Sequence, residues 1–380
     1  MNQSRPMPLV LVSPMDWGLG HATRCIPLIH ELLAQNCRVV LAASGTGKTV
    51  LEAEFPHLEM LSIPGYEIEY ASTGWGLAVK IVAQIPKLLS AIKEEQEWLE
   101  KVVEEKGINA VISDNRYGLH HPGIHSAFMT HQLRIQAPLQ LAEVVLQDIN
   151  YRYIQQFDEC WVPDRAGDEN LAGELSHPVA MPDVPVRFVG PLTRFATQTQ
   201  ITGGNYLLLL LSGPEPQRSL LENRLLQDLE NYTEPVVLVR GLPGTAESIS
   251  VASNVTVYNH LPAAKLEAVI LGASLVIARC GYSTVMDLAA LKKRSILIPT
   301  PGQTEQEYLA AHLMKNNFAF CVEQKKFSLQ RVLSLASQFE YRSFAAERGD
   351  LLSEGIAAFV ASLQNAAQTK KSNENNPCGF

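Results

Sequence analysis

The sequence predicts an α/β protein of two doubly wound parallel-sheet domains facing each other across a cleft. Three observations carry that prediction. The chain has 380 residues, 46% of them hydrophobic and 18% charged, which is enough for two well-packed α/β domains. Short apolar runs alternate with helical patterns, and the alternation restarts after a Pro-, Thr- and Gly-containing stretch at Gly190–Gly204. Each half also carries a strand, a glycine turn and a helix start in succession, at Asp16–His21 and at Arg279–Asp287.

The first half opens with a strand at Leu9–Ser13, a loop at Pro14–Gly20 and a helix at His21–Gln35. Ile26, Ile29, Leu32 and Leu33 give that helix its apolar spacing. Strands follow at Arg38–Ala42 and Leu58–Ile63, then a Gly-, Tyr- and Trp-rich loop at Gly65–Gly76. Leu77–Glu105 reads as a long helix kinked at Pro86. Its Ile81, Ile85, Leu88, Leu89 and Ile92 form an apolar face beside Trp75, Lys80, Lys87 and Lys93, which suits packing on the sheet better than a membrane surface. Ala110–Ser113, Ser126–Thr130, Cys160–Val162 and Val186–Val189 complete the strands of this half.

In the second half, strands are expected at Tyr206–Leu211, Val236–Arg240, Val255–Tyr258, Ala273–Ala278 and Ser295–Pro299. Helices fall between most of them, including Ser219–Asn231 and Thr284–Leu291. The expected domains are 1–195 and 196–366, with a polar, disordered tail at 367–380. Parallel sheets bind ligands beyond the carboxyl ends of their strands, so the loops there are the candidate site.

Arg279-Cys280-Gly281-Tyr282-Ser283-Thr284 ends a buried strand and opens a helix. Free amides and the positive helix end make such a turn an anion site. Asp287 lies about one turn inside that helix, within reach of a bound ribose. In the first half, Gly18 and Gly20 allow a tight turn, and His21 at the helix start is placed to act as a base; the bland alternative is a helix cap. Ser212 and Gly213 could offer amides to a diphosphate, although Pro214 and Pro216 remove donors. Gln303, Gln306 and Glu307 suit sugar hydroxyls, and Thr304 with Glu307 also fits a capping box. Asp114, Asn115, Arg116 and His131, at the ends of two adjacent strands, are candidates for acceptor binding or for orienting His21. Turn formation by Asp114 and Asn115 is the alternative.

Several classes are excluded or demoted. A net charge of −8 argues against broad nucleic-acid binding. The six cysteines show no metal-knuckle or redox spacing, and fit a reducing compartment. The apolar stretch near the N-terminus is too short for a signal peptide, and no apolar run spans a bilayer, so a cytoplasmic protein is expected. Ala42–Thr49 satisfies a permissive phosphate-loop pattern, but it follows the second strand and reads as a decoy. His120, His121 and His125 lack an obvious carboxylate partner and read as loop residues rather than zinc ligands.

With these motifs in place, the chain resembles the GT-B glycosyltransferases of family 28, the MurG-like UDP-sugar transferases, most clearly from Val255 to Cys321. The resemblance implies two Rossmann-like domains, with acceptor binding in the first and the nucleotide sugar held mainly by the second. It implies inverting transfer from a UDP-sugar, N-acetylhexosamine being suggested, without a metal on the donor and with no other cofactor. It carries a base or diphosphate role to His21, with Gly18 and Gly20, and donor contact to Arg194. It places uracil against Tyr258, Asn259 and Leu261, and diphosphate against Gly281, Ser283 and Thr284 beside Arg279. Asp287 stands where the family usually has Glu on the ribose. Gln306 and Glu307 stand where a glutamine pair approaches the sugar, so Glu307 departs from the pattern. The expected partners are a nucleotide-sugar donor and an acceptor of open class (glycan, lipid or small molecule), with contact at the inner membrane face left open. The rival readings are a UDP-sugar hydrolase, which the loop Gly20–Cys25 also resembles, and a nucleotide-sugar-binding subunit that needs a partner for activity.

Overall fold

The computed structural model describes residues 7–66, 74–137, 140–195, 204–344 and 350–374, with side chains omitted at 74–85, 140–141 and 366–374. Part of the expected 65–76 loop, the linker residues 196–203 and the end of the tail therefore lie outside the described residues, as do the side chains of Trp75, Lys80, Ile81 and Ile85.

The first sheet is built from β1 (Leu9–Pro14), β2 (Arg38–Ala43), β3 (Glu59–Ser62), β4 (Ala110–Asp114), β5 (His125–Met129), β6 (Glu159–Val162) and β7 (Val186–Phe188). Their spatial order is β3-β2-β1-β4-β5-β6-β7, and every pairing is parallel. The second sheet contains β8 (Tyr206–Leu210), β9 (Val236–Val239), β10 (Val255–Tyr258), β11 (Ala273–Arg279), β12 (Ser295–Ile298) and β13 (Phe320–Cys321). Its order is β10-β9-β8-β11-β12-β13, again all parallel. Parallel strands need covered faces, and the central strands are accordingly unbroken buried runs such as Val10-Leu11-Val12 and Val276-Ile277-Ala278.

Helices α1 (Leu19–Ala34), α2 (Gly45–Glu54), α3 (Gly74–Lys106) and α4 (Gln140–Ile154) serve the first sheet. The second has α5 (Gln217–Leu229), α6 (Ala263–Gly272), α7 (Tyr282–Ala290), α8 (Thr304–Lys315) and α9 (Leu329–Ser337). On α1, Ile26, Ile29 and Leu32 are buried, each stabilising by roughly 1.5–3 kcal/mol. On α3, Ile92 is buried beside Tyr66 and Met15 and Leu88 packs against them, but Leu89 is exposed, so only part of the expected apolar face packs inward. The last helix, α10 (Leu351–Glu374), returns to pack on α1 and β7 of the first domain. Its backbone continues helical past Ala367, where polarity alone predicts disorder.

Both sheets reverse strand order at their centres. In the first, the chain leaves β1 toward β2 and leaves β4 toward β5, so the loops after β1 and β4 part and open a crevice. In the second, the loops after β8 and β11 do the same. One hydrophobic core runs through both domains, joining Val12 and Ile29 to Val276 and Met286. Leu192 and Phe195 of the inter-sheet linker belong to it.

Candidate active site

The register of β1 against β4 sets the site. Pro14 pairs with Asp114, so both strands end level. The chain then turns through Gly18, whose φ of 78° is in the left-handed region, and enters α1. This brings His21 back over the end of β4, where its Nδ1 lies 3.1 Å from Asp114 Oδ2. Three residues on, and so on the same helix face, Arg24 donates from Nε to Asp114 Oδ2 at 2.8 Å and from Nη2 to Asp114 Oδ1. Arg24 Nη2 also lies 2.9 Å from His21 Nδ1. Asp114 and Arg24 are both buried.

His131, beyond β5, continues the chain of contacts. Its Nδ1 lies 3.1 Å from Arg24 Nη1, and its Nε2 is 2.8 Å from Glu305 Oε1 on α8. The His131 ring stacks on Tyr282 of α7 at 4.2 Å between centroids and 3° between planes. Glu305 and Tyr282 belong to the second domain, so the cluster bridges the cleft.

Burial, and then Arg24, lowers the pKa of His21 below 6.5, although Asp114 pulls upward. The shift favours the neutral imidazole that a base needs. Burial pushes the Asp114 carboxyl up, but Arg24 and then His21 hold it down at about 2. Burial also pushes Glu305 up, and the pull of His131 leaves it below the ordinary carboxylate value.

Across the cleft, Gly281 stands at the N-cap of α7 and, having no side chain, makes no capping hydrogen bond. The α1 start at Gly18 is likewise without a side-chain cap. The two helices pack together. Ser283 donates to the Gly20 carbonyl at 2.9 Å, and a Cβ on Gly20 would lie 2.7 Å from Ser283 Oγ. Thr284 sits beside Ser283 in the same first turn, half-buried. Two positive helix ends thus meet at one place, which disfavours the empty state and favours an anion between them.

Asp287 is buried and accepts from Thr193 Oγ1 at 2.8 Å. Its other oxygen is 3.7 Å from Arg194 Nε, a buried nitrogen without a hydrogen-bond partner among the described residues. Burial raises the Asp287 pKa to about 6, against Arg194 and Thr193. Arg194 and Asp287, each expected at the donor, therefore lie together, with Thr193 as an additional partner.

The remaining expected residues divide by what already occupies them. Ser212 and the exposed Gly213, with φ of 104°, lie in the loop after β8. Tyr258 is exposed at the end of β10, whereas Leu261 is in the core. Asn259 is a brace: its amide donates to the carbonyls of Thr245 and Glu247 at 2.9 and 2.7 Å and its oxygen accepts from Arg240 at 2.9 Å. Arg279 is buried and donates to the carbonyls of Gln217 and Pro299. Burial lowers its pKa to about 10. Arg116 is also buried, bonded to Glu95 and to the carbonyls of Pro14 and Pro64. The Arg116 guanidinium is thus engaged within the fold, whereas Arg279 Nε is buried with no hydrogen-bond partner among the described residues. Asn115 takes a positive φ of 59° as the turn residue after β4. Gln306 bonds to Gln303 and accepts from the Thr300 amide at 2.9 Å, and Glu307 accepts from the Gly302 amide at 3.0 Å. These three shape the start of α8.

Two other expectations can be set beside the structure. Lys48 of the decoy loop bonds to Ser62 Oγ at 3.0 Å on the exposed surface. His125, expected to lack an acid, is 2.9 Å from Glu159 Oε1, because parallel pairing of β5 and β6 brings the two strand starts together. Among the described residues, no group of three or more His, Cys, Asp or Glu could hold a metal.

Residues 221–357 match the glycosyltransferase family 28 C-terminal domain. The chain is a glycosyltransferase of GT-B fold. It is 26% identical over 400 residues to the UDP-N-acetylglucosamine--N-acetylmuramyl-(pentapeptide) pyrophosphoryl-undecaprenol N-acetylglucosamine transferase of Methylobacterium nodulans, covering 95% of this chain and 94% of that one. The like-named protein of a Bradyrhizobium species is 28% identical over 214 residues, 54% of this chain and 55% of its own. Among solved structures, the kitacinnamycin glycosyltransferase superposes with a TM-score of 0.60 at 18% identity, over 96% of each chain. MurG of Acinetobacter baumannii superposes with a TM-score of 0.50 at 16% identity, over 88% of this chain and 90% of its own. At such identities the superpositions speak for the fold.

Sequence reasoning missed Arg24, Glu305 and Thr193. Arg24 had a signal, since it stands one helical turn after His21. Glu305 and Thr193 had none, because their partners lie on the other domain.

Proposed function

We propose that the protein is an inverting, metal-independent glycosyltransferase that uses a UDP-sugar, with His21 as the base. The carrying observation is the meeting of the uncapped starts of α1 and α7 at the Ser283–Gly20 bond, with His21 alongside. A nucleotide diphosphate seated there gains from both helix ends, and charge growing on it as it departs is stabilised without a cation. Arg194 adds a positive group, and Asp287 is placed to exchange Thr193 for ribose hydroxyls. His21, with its Nδ1–H held by Asp114, presents Nε2 to an acceptor hydroxyl, which attacks the anomeric carbon opposite the leaving group. The transition state has oxocarbenium character, so water exclusion by the closed cleft protects it from hydrolysis.

The names of the relatives make UDP-N-acetylglucosamine the first donor to try and a polyprenyl-pyrophosphoryl glycan the first acceptor. Such an acceptor would bring the protein to a membrane surface as a peripheral partner; no helix among the described residues is long and apolar enough to cross one. A thermal-shift screen of UDP-, GDP- and dTDP-sugars should give stabilisation by UDP compounds alone. Stoichiometric release of free sugar without acceptor would instead make the protein a hydrolase. Donor binding with no turnover, unaltered by His21→Ala, would make it a binding subunit.

A further inference from the structure

The proton on His21 has two places to sit, and the surrounding donors decide between them. Nδ1 lies 3.1 Å from the Asp114 carboxylate, which accepts, and 2.9 Å from Arg24 Nη2, which only donates. If Nδ1–H faces Asp114, Nε2 carries a lone pair and can take a proton. If Nδ1 accepts from Arg24, the proton moves to Nε2 and the base is gone. The position of the Arg24 guanidinium therefore governs whether His21 can act.

Arg24 has one further anchor besides Asp114. Its Nη1 lies 3.1 Å from His131 Nδ1, and since arginine cannot accept, that nitrogen must carry the lone pair. The single proton of His131 is then on Nε2, aimed at Glu305 Oε1 at 2.8 Å. Glu305 thus fixes the His131 tautomer that Arg24 requires. Its attraction is charge-assisted, and stacking on Tyr282 sets the plane of the ring. Glu305 and Tyr282 come from the second domain, whereas His21, Arg24, Asp114 and His131 come from the first.

We infer that Glu305 is a positioning residue for His21, acting through His131 and Arg24, and that the base reaches its working tautomer only when the second domain is closed on the first. With Glu305 withdrawn, His131 is free to turn or to carry its proton on Nδ1, where it repels Arg24 Nη1. Arg24, whose Nη2 already lies 2.9 Å from His21 Nδ1, then loses its hold on His131 and donates to His21 instead, and the proton shifts to Nε2. An open cleft thereby holds the base disarmed, which would limit donor hydrolysis before closure. This inference rests on the assignment of His21 as the base.

The test reads the tautomers directly. Imidazole nitrogen shifts are recorded at neutral pH on the full chain, with and without UDP, and assigned with His21→Ala and His131→Ala. The expected wild-type pattern in the UDP-bound protein is Nδ1–H for His21 and Nε2–H for His131. Glu305→Ala should transfer most of the His21 signal to the Nε2–H form. Glu305→Gln, whose amide oxygen still accepts from His131, should restore the wild-type pattern. His131→Phe keeps the ring on Tyr282, removes both nitrogens and should reproduce the effect of Glu305→Ala, which covers a failure of that variant to fold. A His21 tautomer unmoved by both Glu305→Ala and His131→Phe overturns the inference, as does a wild-type His21 in the Nε2–H form with UDP bound. The parent assignment fails by a different result: His21→Ala turning over UDP-sugar at the wild-type rate, whatever its tautomers.

Discussion

Replacing Asp114 with Asn tests the centre of the site through stability alone, before any acceptor is known. Asp114 is fully buried at the end of β4 and grips the equally buried Arg24 with both oxygens. Its pKa is lowered from 3.8 to about 2, burial raising it but Arg24 and His21 prevailing. A lowered carboxylate contributes stability that is present above the unfolded value and lost as pH falls through the folded one. The depression corresponds to roughly 2–3 kcal/mol at neutral pH. Stripping one partner from a buried ion pair costs about 3–5 kcal/mol, because the other charge remains. Asparagine keeps one oxygen for Arg24, so a loss of about 2–4 kcal/mol is expected.

The assay is urea unfolding followed by tryptophan fluorescence. All four tryptophans, Trp17, Trp75, Trp98 and Trp161, lie in the first half of the chain, so the signal reports the domain that holds Asp114. The gap between wild type and Asp114→Asn should narrow by roughly 1 kcal/mol between pH 7 and pH 3, as the wild-type carboxylate begins to lose its linkage contribution. A loss below about 0.5 kcal/mol, or a gap that ignores pH, would refute the paired, buried carboxylate and with it the orientation of His21.

Three further outcomes follow from the geometry. Asp287→Ala should weaken UDP binding by ~1.5–3 kcal/mol in calorimetry, and wild-type affinity should fall as pH drops through about 6, where the raised Asp287 carboxyl gains its proton and stops accepting from ribose; unchanged affinity in the variant removes Asp287 from the site. Lys48→Ala should bind UDP as wild type does, since its amine points to Ser62 on the surface; loss of binding in a folded variant would revive the decoy loop. Gly118→Ala places a Cβ 2.3 Å from the Ile92 carbonyl oxygen and 2.6 Å from Glu95 Cβ, so about 1–3 kcal/mol of overpacking is expected, and an unaltered melting temperature would contradict the packing of α3 on this turn.

The strands were readable because parallel sheets bury both faces and so write themselves as apolar runs; Val255–Tyr258 matches its expected limits and most others fall within a residue or two. Less regular elements left weaker marks. Helix α2 hides in the glycines of the decoy loop, α4 exposes Val144 and Val145 and so blurs its apolar stripe, and β13 has only two residues. The same division holds in the site. His21, Ser283 and Asp114 could be picked out as candidates because turns at strand ends have a local signature. The contacts were not: although Arg24 stands one turn after His21, its bond to Asp114 spans 90 positions and that of His131 to Glu305 spans 174, and no spacing rule covers such distances. Arg279 and Arg116 show the complementary side. A cation beside a glycine turn reads as a ligand contact, yet Arg116 is bonded to carbonyls and Glu95 inside the fold, and Arg279 gives its two Nη atoms to carbonyls and keeps only a buried Nε without a partner among the described residues.

How the two domains meet bears on how the site would work. The linker is held by apolar packing of Leu192 and Phe195 in the shared core, which suits a fixed hinge. The mouth adds polar contacts: Ser283 to Gly20, Thr304 to Gln136 at 2.9 Å, Tyr282 to Pro163 at 2.8 Å, and Tyr308 to the Glu174 amide at 2.7 Å. Each such bond contributes about 0.5–1.5 kcal/mol net, because water replaces it when the mouth opens. Opening at the mouth is therefore inexpensive bond by bond, and the two abutting helix ends oppose closure until an anion lies between them. A bound diphosphate reverses that sign. Closure then depends on the donor through a differential affinity, as a ligand-driven shift requires, and the same movement delivers Glu305 to His131.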